Sequence, residues 1–338
     1  MIPRYDKSYR AAEIQHICDY ARRGLSTCFV GIAGSGKSNI VNFLSKDEYG
    51  YRAQYLGEDN DRVLFPLVIG NRWKETALHL WEMMLAALRT IAPNPDAPTT
   101  IHLEQLSPEE QRFAQLKAEV AFVCQQQKMQ VMFILDDFDE VLAKAPFDML
   151  EALHELRYDH RDRLSYLIFT KRLPHLLRSD SPISGRSKFY DLFSNAIYAL
   201  ELYTDADTRQ MLLYLNEQAN GALNEDELAA IQAHSGGHAR LIYLLFHLWS
   251  EEHPPITVPL SYFLTHPQAG AIRNECQRIL DGLHPEEQEV AIRLAQGRET
   301  PADAPVVHHL LVRGLIKPGG WNEWSIPLLA EFLRNYAR

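Results

Sequence analysis

The feature that most constrains this chain is a glycine-rich turn between an apolar segment and a helical pattern. Residues 29–44 read FVGIAGSGKSNIVNFL and match G-x-x-x-x-G-K-[ST], with Gly31, Gly36, Lys37 and Ser38 at the fixed positions. Glycines let the backbone bend so that successive N–H groups point at one anion, and the following helix adds its positive dipole end. The turn, called the glycine loop (Gly31–Lys37) below, therefore predicts a phosphate-binding site between a strand and a helix.

Each residue type in this motif has a chemical purpose. We expect the backbone of the loop to surround the phosphates of a nucleotide. The nucleotide-binding candidates are Gly31, Gly34, Ser35, Gly36, Lys37 and Ser38. Lys37 is expected to reach the β- and γ-phosphates, and the Ser38 hydroxyl is expected to be a ligand of Mg²⁺. The alternative is an ordinary glycine turn with a solvated lysine.

A second acidic site follows about a hundred residues later. The apolar segment VMFILDD (131–137) is typical of a strand buried on both faces of a parallel sheet, and it ends in two carboxylates. Ligands of open α/β sheets bind outside the carboxyl ends of the strands. We therefore expect Asp136 to hold Mg²⁺ and Asp137 to polarise the attacking water. The alternative is that these acids, with Asp139 and Glu140, only begin the next helix.

Two further places offer candidates for catalysis. The apolar strand pattern 164–170 ends in Thr170, Lys171 and Arg172, where a polar residue can orient water and a cation can stabilise transferring phosphate. The alternative is a strand end with solvated cations. The segment SGGHAR (235–240) opens a helix, and Arg240 lies one turn into it, within reach of a γ-phosphate or merely exposed.

The order of the patterns divides the chain into three parts. Strand and helix patterns alternate over residues 1–202, which predicts an α/β domain with a parallel sheet. Pro66 falls in the second strand pattern and places it near a sheet edge. A Pro- and Thr-rich stretch at 92–108 predicts a surface excursion. Helical patterns over 203–253 predict a lid, and helices with a Gly319-Gly320 hairpin over 254–338 predict a winged helix.

Composition excludes several classes of protein. The net charge of −10 argues against a surface that coats DNA, and the segment 254–338 has eight Lys/Arg against nine Asp/Glu. Its predicted recognition helix, APVVHHLLVR, offers only Arg313 for reading bases. No apolar run is long enough to cross a membrane, and no secretory signal begins the chain. The four cysteines are widely spaced, which favours reduced thiols and a cytoplasmic location.

Together these segments resemble the P-loop ATPases of the STAND branch and their archaeal-ATPase-like relatives within the broader AAA+ group. The segments that carry the resemblance are FVGIAGSGKSNIVNFL, VMFILDDFDEV, FTKR, SKFYDLFSNAIYALELYTDADTRQMLLYL, SGGHARLIYLL and GLIKPGGWNEWSIPLLAEFL. The resemblance implies a parallel-sheet P-loop NTPase domain, a helical lid and a C-terminal winged helix. It also implies ATP or ADP and Mg²⁺ as cofactors, and adenine is favoured because the chain has no NKxD guanine motif.

The resemblance further implies a molecular switch that hydrolyses ATP slowly and works through protein partners, as in signalling or defence. No repeat sensor or separate effector is visible, so a partner protein is expected to supply one, and nucleotide-dependent homo-oligomers are compatible with this group. Arg240 matches the second sensor arginine of initiator-type AAA+ proteins, which keeps open an alternative, an ATPase that loads on or remodels DNA. A second alternative is nucleotide binding with negligible hydrolysis.

Overall fold

The computed structural model describes residues 3–93, 106–178, 187–321 and 323–336, so most of the predicted excursion at 92–108 lies outside it. The chain divides into two compact units. The sheet unit consists of Ala12–Val30 and Ser38–Tyr198. The helical unit consists of the residues up to Ala11, the glycine loop, and the chain from Ala199 onward. The glycine loop is thus grouped with residues that are distant from it in sequence.

The sheet has six strands in the order β2-β4-β5-β1-β6, and β3 also pairs with β4. The strands are β1 Thr27–Val30, β2 Val63–Leu64, β3 Leu67–Ile69, β4 Gln130–Asp136, β5 Leu164–Thr170 and β6 Ile197–Ala199. The pairs of β4 with β2, β3 and β5, and of β5 with β1, are parallel. β5 is buried along its whole length and β4 from its second residue, which agrees with their continuous apolar sequences.

Pro66 divides one predicted strand into two short ones. β2 and β3 flank it, and both pair with β4, in the registers Val63↔Gln130 and Leu67↔Ile134. Proline has no N–H to donate, but its carbonyl accepts a 2.8 Å hydrogen bond from the Ile134 N–H. The prediction that Pro66 lies near an edge agrees with this order, since β2 ends the sheet.

Among the described residues of the sheet unit there are seven α-helices. They are α1 Ala11–Arg22, α2 Lys37–Lys46, α3 Ala53–Leu56, α4 Ala77–Ile91, α5 Pro108–Ala121, α6 Asp139–Lys144 and α7 Phe147–Asp159. α4 buries Leu80, Trp81, Met84, Leu85 and Leu88 at the spacing of one helix face, in a core shared with β4 and β5. α5 begins with a capping box between Ser107 and Glu110, and it is followed by a π-helical turn at Phe122–Gln126.

The described part of the helical unit contains eight α-helices. They are α8 Asp205–Gln218, α9 Glu225–Ser235, α10 Ala239–Glu252, α11 Tyr262–Thr265, α12 Gly270–Asp281, α13 Pro285–Ala295, α14 Ala304–Val312 and α15 Pro327–Arg334. α9 ends at Gly236, which has the left-handed conformation that commonly terminates helices. An antiparallel bridge between Ile316 and Trp324 separates α14 from α15. The predicted α/β fold with a parallel sheet and a helical C-terminal region is confirmed.

No helix among the described residues is both long enough and apolar enough to cross a membrane. The four cysteines are buried and unpaired by disulfides.

Candidate functional site

The glycine loop has a backbone that only glycine adopts readily. Gly34 and Gly36 have φ of +72° and +99°. A Cβ on Gly34 would overlap the carboxylate oxygen Oε1 of Glu275 and lie 2.5 Å from Cε1 of His238. A Cβ on Gly36 would lie 2.8 Å from the ring of Tyr203. The bend therefore serves close packing in the helical unit as well as the curvature that an anion needs.

Lys37 lies against its own loop. Its side chain is buried, and Nζ donates hydrogen bonds to the carbonyls of Gly31 at 2.7 Å and Ile32 at 2.8 Å. The loop thus holds an ammonium group beside its backbone N–H groups. Both kinds of donor suit a phosphate.

Arg10 fixes the middle of the loop, and nothing in the motif points to it. Its buried guanidinium donates 2.8 Å hydrogen bonds to the carbonyls of Ser35 and Glu201. It also lies 4.8 Å from the centroid of the Tyr203 ring, which is a cation–π distance. The Ser35 hydroxyl is buried and has no hydrogen-bond partner among the described residues. Arg10 therefore orients the peptide that carries this serine.

His238 binds the loop directly. Its ring is fully buried, Nε2 lies 2.7 Å from the carbonyl oxygen of Ala33, and Nδ1 accepts a 3.2 Å hydrogen bond from the Leu241 N–H. These partners require the neutral tautomer with the proton on Nε2. Burial lowers the pKa of His238 to about 4, against weaker opposing effects of the Ala33 carbonyl and Glu275. His238 therefore caps α10 and ties it to the loop. Neither His238 nor His234, four residues earlier, belongs to a cluster of potential metal ligands among the described residues.

Arg240 also meets the loop, but through its backbone. Its N–H donates a 3.1 Å hydrogen bond to the Gly34 carbonyl. Its guanidinium is exposed and lies 5.0 Å from the centroid of the Tyr243 ring. The sequence-predicted sensor arginine therefore begins next to the loop, with a side chain that is free to change rotamer in solvent.

Glu275, on α12, is a third contact that sequence reasoning did not identify. Its carboxylate is buried, accepts two hydrogen bonds from Arg278 at 2.8 and 2.9 Å, and lies 3.9 Å from Nε2 of His238. Oε1 occupies the space that a side chain at Gly34 would need. A negative group from the C-terminal region thus lies beside the loop that is predicted to bind phosphate.

The acidic residues lie at the carboxyl end of β4, in the sheet unit. Asp136 is buried and pairs in register with Ile69 of β3. Asp137 is in a left-handed conformation with φ of +49°, and its carboxylate accepts a 3.2 Å hydrogen bond from Asn71 and lies 3.5 Å from Nζ of Lys171. Asn71 was not predicted. It follows β3, whereas Asp137 follows β4, so their contact cannot be read from sequence spacing.

The end of β5 is built around Asp139. Its Oδ1 accepts hydrogen bonds from the backbone N–H groups of Lys171 at 2.7 Å and Arg172 at 3.4 Å. Thr170 is fully buried, with its hydroxyl 3.8 Å from Sγ of Cys28. The structure thus brings Asp137 and Lys171 together, whereas Thr170 faces the interior. Ser38, in the first turn of α2, is exposed.

Comparison with solved structures identifies the fold. A Walker-type ATPase of Pyrococcus abyssi aligns with a TM-score of 0.56 at 13% identity, over 99% of this chain and 96% of that one. The ORC2 protein of Aeropyrum pernix, in ADPNP–ADP complexes, aligns with a TM-score of 0.52 at 13% identity, over 96% and 93% of the two chains. This chain has the fold of a Walker-type P-loop ATPase. No family model and no curated protein matches its sequence.

A STAND protein of Pyrococcus horikoshii with a tetratricopeptide-repeat sensor aligns with a TM-score of only 0.38 at 14% identity, over 99% of this chain and 44% of that one. The likeness to the first two structures establishes the fold.

The predicted recognition helix, α14, is followed by Arg313, the one residue that its sequence offered for reading bases. Arg313 is buried, and its guanidinium donates to Glu287 at 2.6 Å and to the Gly282 carbonyl at 3.3 Å. The exposed residues of α14 include His308 and His309 but no Lys or Arg. The arginine that the sequence offered for DNA reading is therefore a structural residue that joins two helices.

Proposed function

We propose that this chain is a Mg²⁺-dependent ATPase that acts as a nucleotide-controlled switch on protein partners. Three features support the proposal: the complete glycine-loop motif, the acidic end of β4, and the fold shared with an ORC2 protein that binds ADPNP and ADP. In it, residues 203–253 act as the lid and residues 254–338 as a winged helix that carries the signal.

The residues present fit the phosphates and the metal. Gly34 and Gly36 give the loop backbone the bend that turns its N–H groups toward one anion, with φ of +72° and +99°, and Lys37 adds a cation beside it. The Ser38 hydroxyl and the Asp136 carboxylate are hard oxygen ligands of the kind that Mg²⁺ prefers. Bound Mg²⁺ would neutralise charge that develops on the phosphate oxygens. In this assignment the loop holds the phosphates, while Ser38 and Asp136 hold the metal.

Asp137 has the role of polarising the attacking water. Asn71 and Lys171 restrain its carboxylate, which can accept a hydrogen bond from water. The same contacts occupy the Asp137 carboxylate, which would otherwise be available to bind the attacking water, and this agrees with slow hydrolysis. Arg172 and Arg240 remain candidates for stabilising the transferring phosphate, and Thr170 remains a candidate for orienting the attacking water.

The observation that carries the switch is the set of contacts that the glycine loop receives from the C-terminal part of the chain. His238 binds the Ala33 carbonyl, the Arg240 N–H binds the Gly34 carbonyl, and the Glu275 carboxylate packs against Gly34. Phosphates bound at the loop bring negative charge toward Glu275, so nucleotide binding and the position of α12 are energetically linked. A change in α12 alters the surface that a partner can recognise.

The first experiment tests nucleotide binding in the full-length chain. We expect Lys37→Ala to lower the affinity for ATP and ADP at least tenfold in isothermal titration calorimetry, because it removes a charge-assisted phosphate contact. Lys46→Ala is the matched control, since it removes the same charge from the exposed end of the same helix. Equal affinities for the two variants would refute the nucleotide site.

Hydrolysis and switching are tested separately. Asp137→Asn should abolish phosphate release while ATP affinity is retained, and continued release would remove Asp137 from the mechanism. Limited proteolysis with ADP and with ATP should give different cleavage patterns in the segment that contains α12, and identical patterns would argue for simple nucleotide binding. Salt-dependent binding of duplex DNA that requires ATP would instead favour the DNA-loading alternative.

A further inference from the structure

A cavity of about 430 Å³ in the sheet unit has a lining unlike the rest of this acidic protein. Four of its seven lining residues are cations and one is a carboxylate, in a chain of net charge −10. The lining consists of Arg22, Asp59, Arg62, Gln127, Lys128, Gln130 and Arg163. Such a local reversal of charge concentrates anions at one place on the surface.

The cavity lies at the amino ends of the strands. Arg62 immediately precedes β2, Gln130 begins β4, and Arg163 immediately precedes β5. Asp136 ends β4 six residues after Gln130, and a strand rises about 3.3 Å per residue. The cavity is therefore about 20 Å from the acidic end of the same strand, so it is separate from the proposed magnesium site.

The cations are only partly used by the protein itself. Nη1 of Arg163 donates to the Lys128 carbonyl at 2.6 Å, and Arg22 forms an ion pair with Asp19. Each guanidinium has five N–H donors, so these contacts leave donors for a ligand. Within the described chain, the side chains of Arg62 and Lys128 have neither a hydrogen bond nor an ion pair, and both residues are exposed.

Local backbone features place two of the lining residues. The π-helical turn Phe122–Gln126 leads directly into Gln127, and Lys128 then adopts a left-handed conformation with φ of +58°. That conformation is unfavourable for a residue with a Cβ. Gln130 contributes a different polar atom, because its Oε1 is buried and has no hydrogen-bond partner among the described residues.

We propose that this cavity is a second ligand site, which binds a small phosphorylated molecule that also carries hydroxyl groups. Guanidinium and ammonium groups from four separate positions along the chain suit a phosphate. Arginine in particular matches the geometry of phosphate oxygens. Gln130 Oε1 and the Asp59 carboxylate accept hydrogen bonds, which hydroxyl groups donate. The volume falls in the range of small-molecule pockets.

A bound ligand would contact the starts of β2, β4 and β5 at once. It would therefore stabilise the amino ends of strands in this sheet, and the carboxyl end of one of them, β4, carries Asp136 and Asp137. The site is independent of the proposed nucleotide function, because none of its residues belongs to the glycine loop or to the acidic end of β4.

The test uses the full-length chain with inorganic pyrophosphate and with ribose 5-phosphate, followed by isothermal titration calorimetry. A Lys37→Ala background removes the strong phosphate contact of the glycine loop. In that background we expect one class of binding site, and we expect Arg62→Ala/Lys128→Ala to weaken binding at least tenfold. Both replaced side chains are exposed, so the variant should retain its thermal unfolding midpoint.

The matched control is Arg112→Ala/Lys117→Ala. It removes the same two charges from α5, in the same unit, where Arg112 pairs with Glu82 and Lys117 with Glu155. It should bind both probes as the background does. Equal weakening in the control and the cavity variant would reduce the effect to net charge and overturn the proposal, as would the absence of binding by either probe at millimolar concentration.

Two more measurements separate the outcomes. In the chain with an intact Lys37, pyrophosphate should occupy two classes of site and the cavity variant should retain one. If Lys37→Ala removes no site, the glycine-loop proposal fails while the cavity proposal stands. If a 30-base-pair DNA duplex displaces ribose 5-phosphate with the same dependence on Arg62 and Lys128, the ligand is a nucleic-acid backbone and the small-molecule assignment is wrong.

Discussion

Replacement of Gly34 by alanine should disrupt the packing around the glycine loop inside the helical unit. Gly34 stands at a variable position of the G-x-x-x-x-G-K-[ST] motif, so phosphate chemistry alone does not demand glycine there. Its φ is +72°, and an added Cβ would overlap Glu275 Oε1, lie 2.5 Å from His238 Cε1 and lie 2.9 Å from Arg240 Cβ. The substitution therefore carries both a backbone cost and a packing cost.

The two costs can be estimated separately. A left-handed conformation costs alanine about 1–2 kcal/mol relative to glycine. Overpacking of a tight site costs about 1–3 kcal/mol. His238 is fully buried and held through both ring nitrogens, so it cannot move aside easily, whereas Glu275 can move the end of its side chain. We expect a total loss of about 2–5 kcal/mol in the free energy of unfolding.

Gly221→Ala is the matched control for the backbone cost. Gly221 has φ of +74°, lies in the same unit, and has no atom within 4 Å of the Cβ position. Urea unfolding without nucleotide, followed by tryptophan fluorescence, should show a loss about 1–3 kcal/mol larger for Gly34→Ala than for Gly221→Ala. The double variant Gly34→Ala/Glu275→Ala should recover part of that difference. Equal losses for the two glycine variants would refute the packing argument.

Three further outcomes follow from contacts of the helical unit. Burial lowers the pKa of His238 to about 4 from a usual value of 6.5, so the unfolded chain binds this proton more readily than the folded chain. The free energy of unfolding should therefore fall by about 3 kcal/mol as the pH drops from 6.5 toward 4. In urea titrations, His238→Gln should flatten that pH dependence. Arg313→Met leaves the buried carboxylate of Glu287 without its arginine partner and should cost about 3–5 kcal/mol of unfolding free energy. Duplex DNA binding should stay equal to that of the exposed control Arg298→Met, and a selective loss of DNA binding would restore the DNA-reading role. Arg10→Met should lower ATP affinity at least tenfold in calorimetry, because the Ser35 carbonyl loses its charged donor; unchanged affinity would make Arg10 purely structural.

The elements that depend on local sequence were predictable. Continuous apolar segments identified β4 and β5, and Pro66 placed the strand pattern beside β4 near a sheet edge, although its division into β2 and β3 was not predicted. The motif residues and the two carboxylates at the end of β4 were also predictable from local sequence. The carboxyl ends of parallel strands lie on the same side of a sheet, where ligands bind. The roles assigned to these residues are proposals that the experiments above test.

The residues that complete the glycine loop were not predictable in the same way. Arg10 precedes the motif by more than twenty residues, and His238 and Glu275 follow it by about two hundred or more. Their sequence contexts are ordinary: Arg10 lies before a helix, His238 follows two glycines, and Glu275 lies on a helix among other polar residues. Long-range packing decides which of many such side chains reaches the loop, and a single sequence contains no local signal for it.

The variable position of the motif shows how packing and phosphate chemistry are joined. Gly31 and Gly36 belong to the general motif, whereas glycine at position 34 is explained by what this chain packs there: a neutral histidine, a backbone N–H and a carboxylate. The histidine and the N–H bind carbonyls of the loop and so orient its peptides, whose N–H groups are the donors to phosphate. The carboxylate opposes added negative charge at the same place. In the proposed function, two contacts thus prepare the loop for nucleotide and one resists it, and we propose that this balance links nucleotide binding to the position of the C-terminal helices.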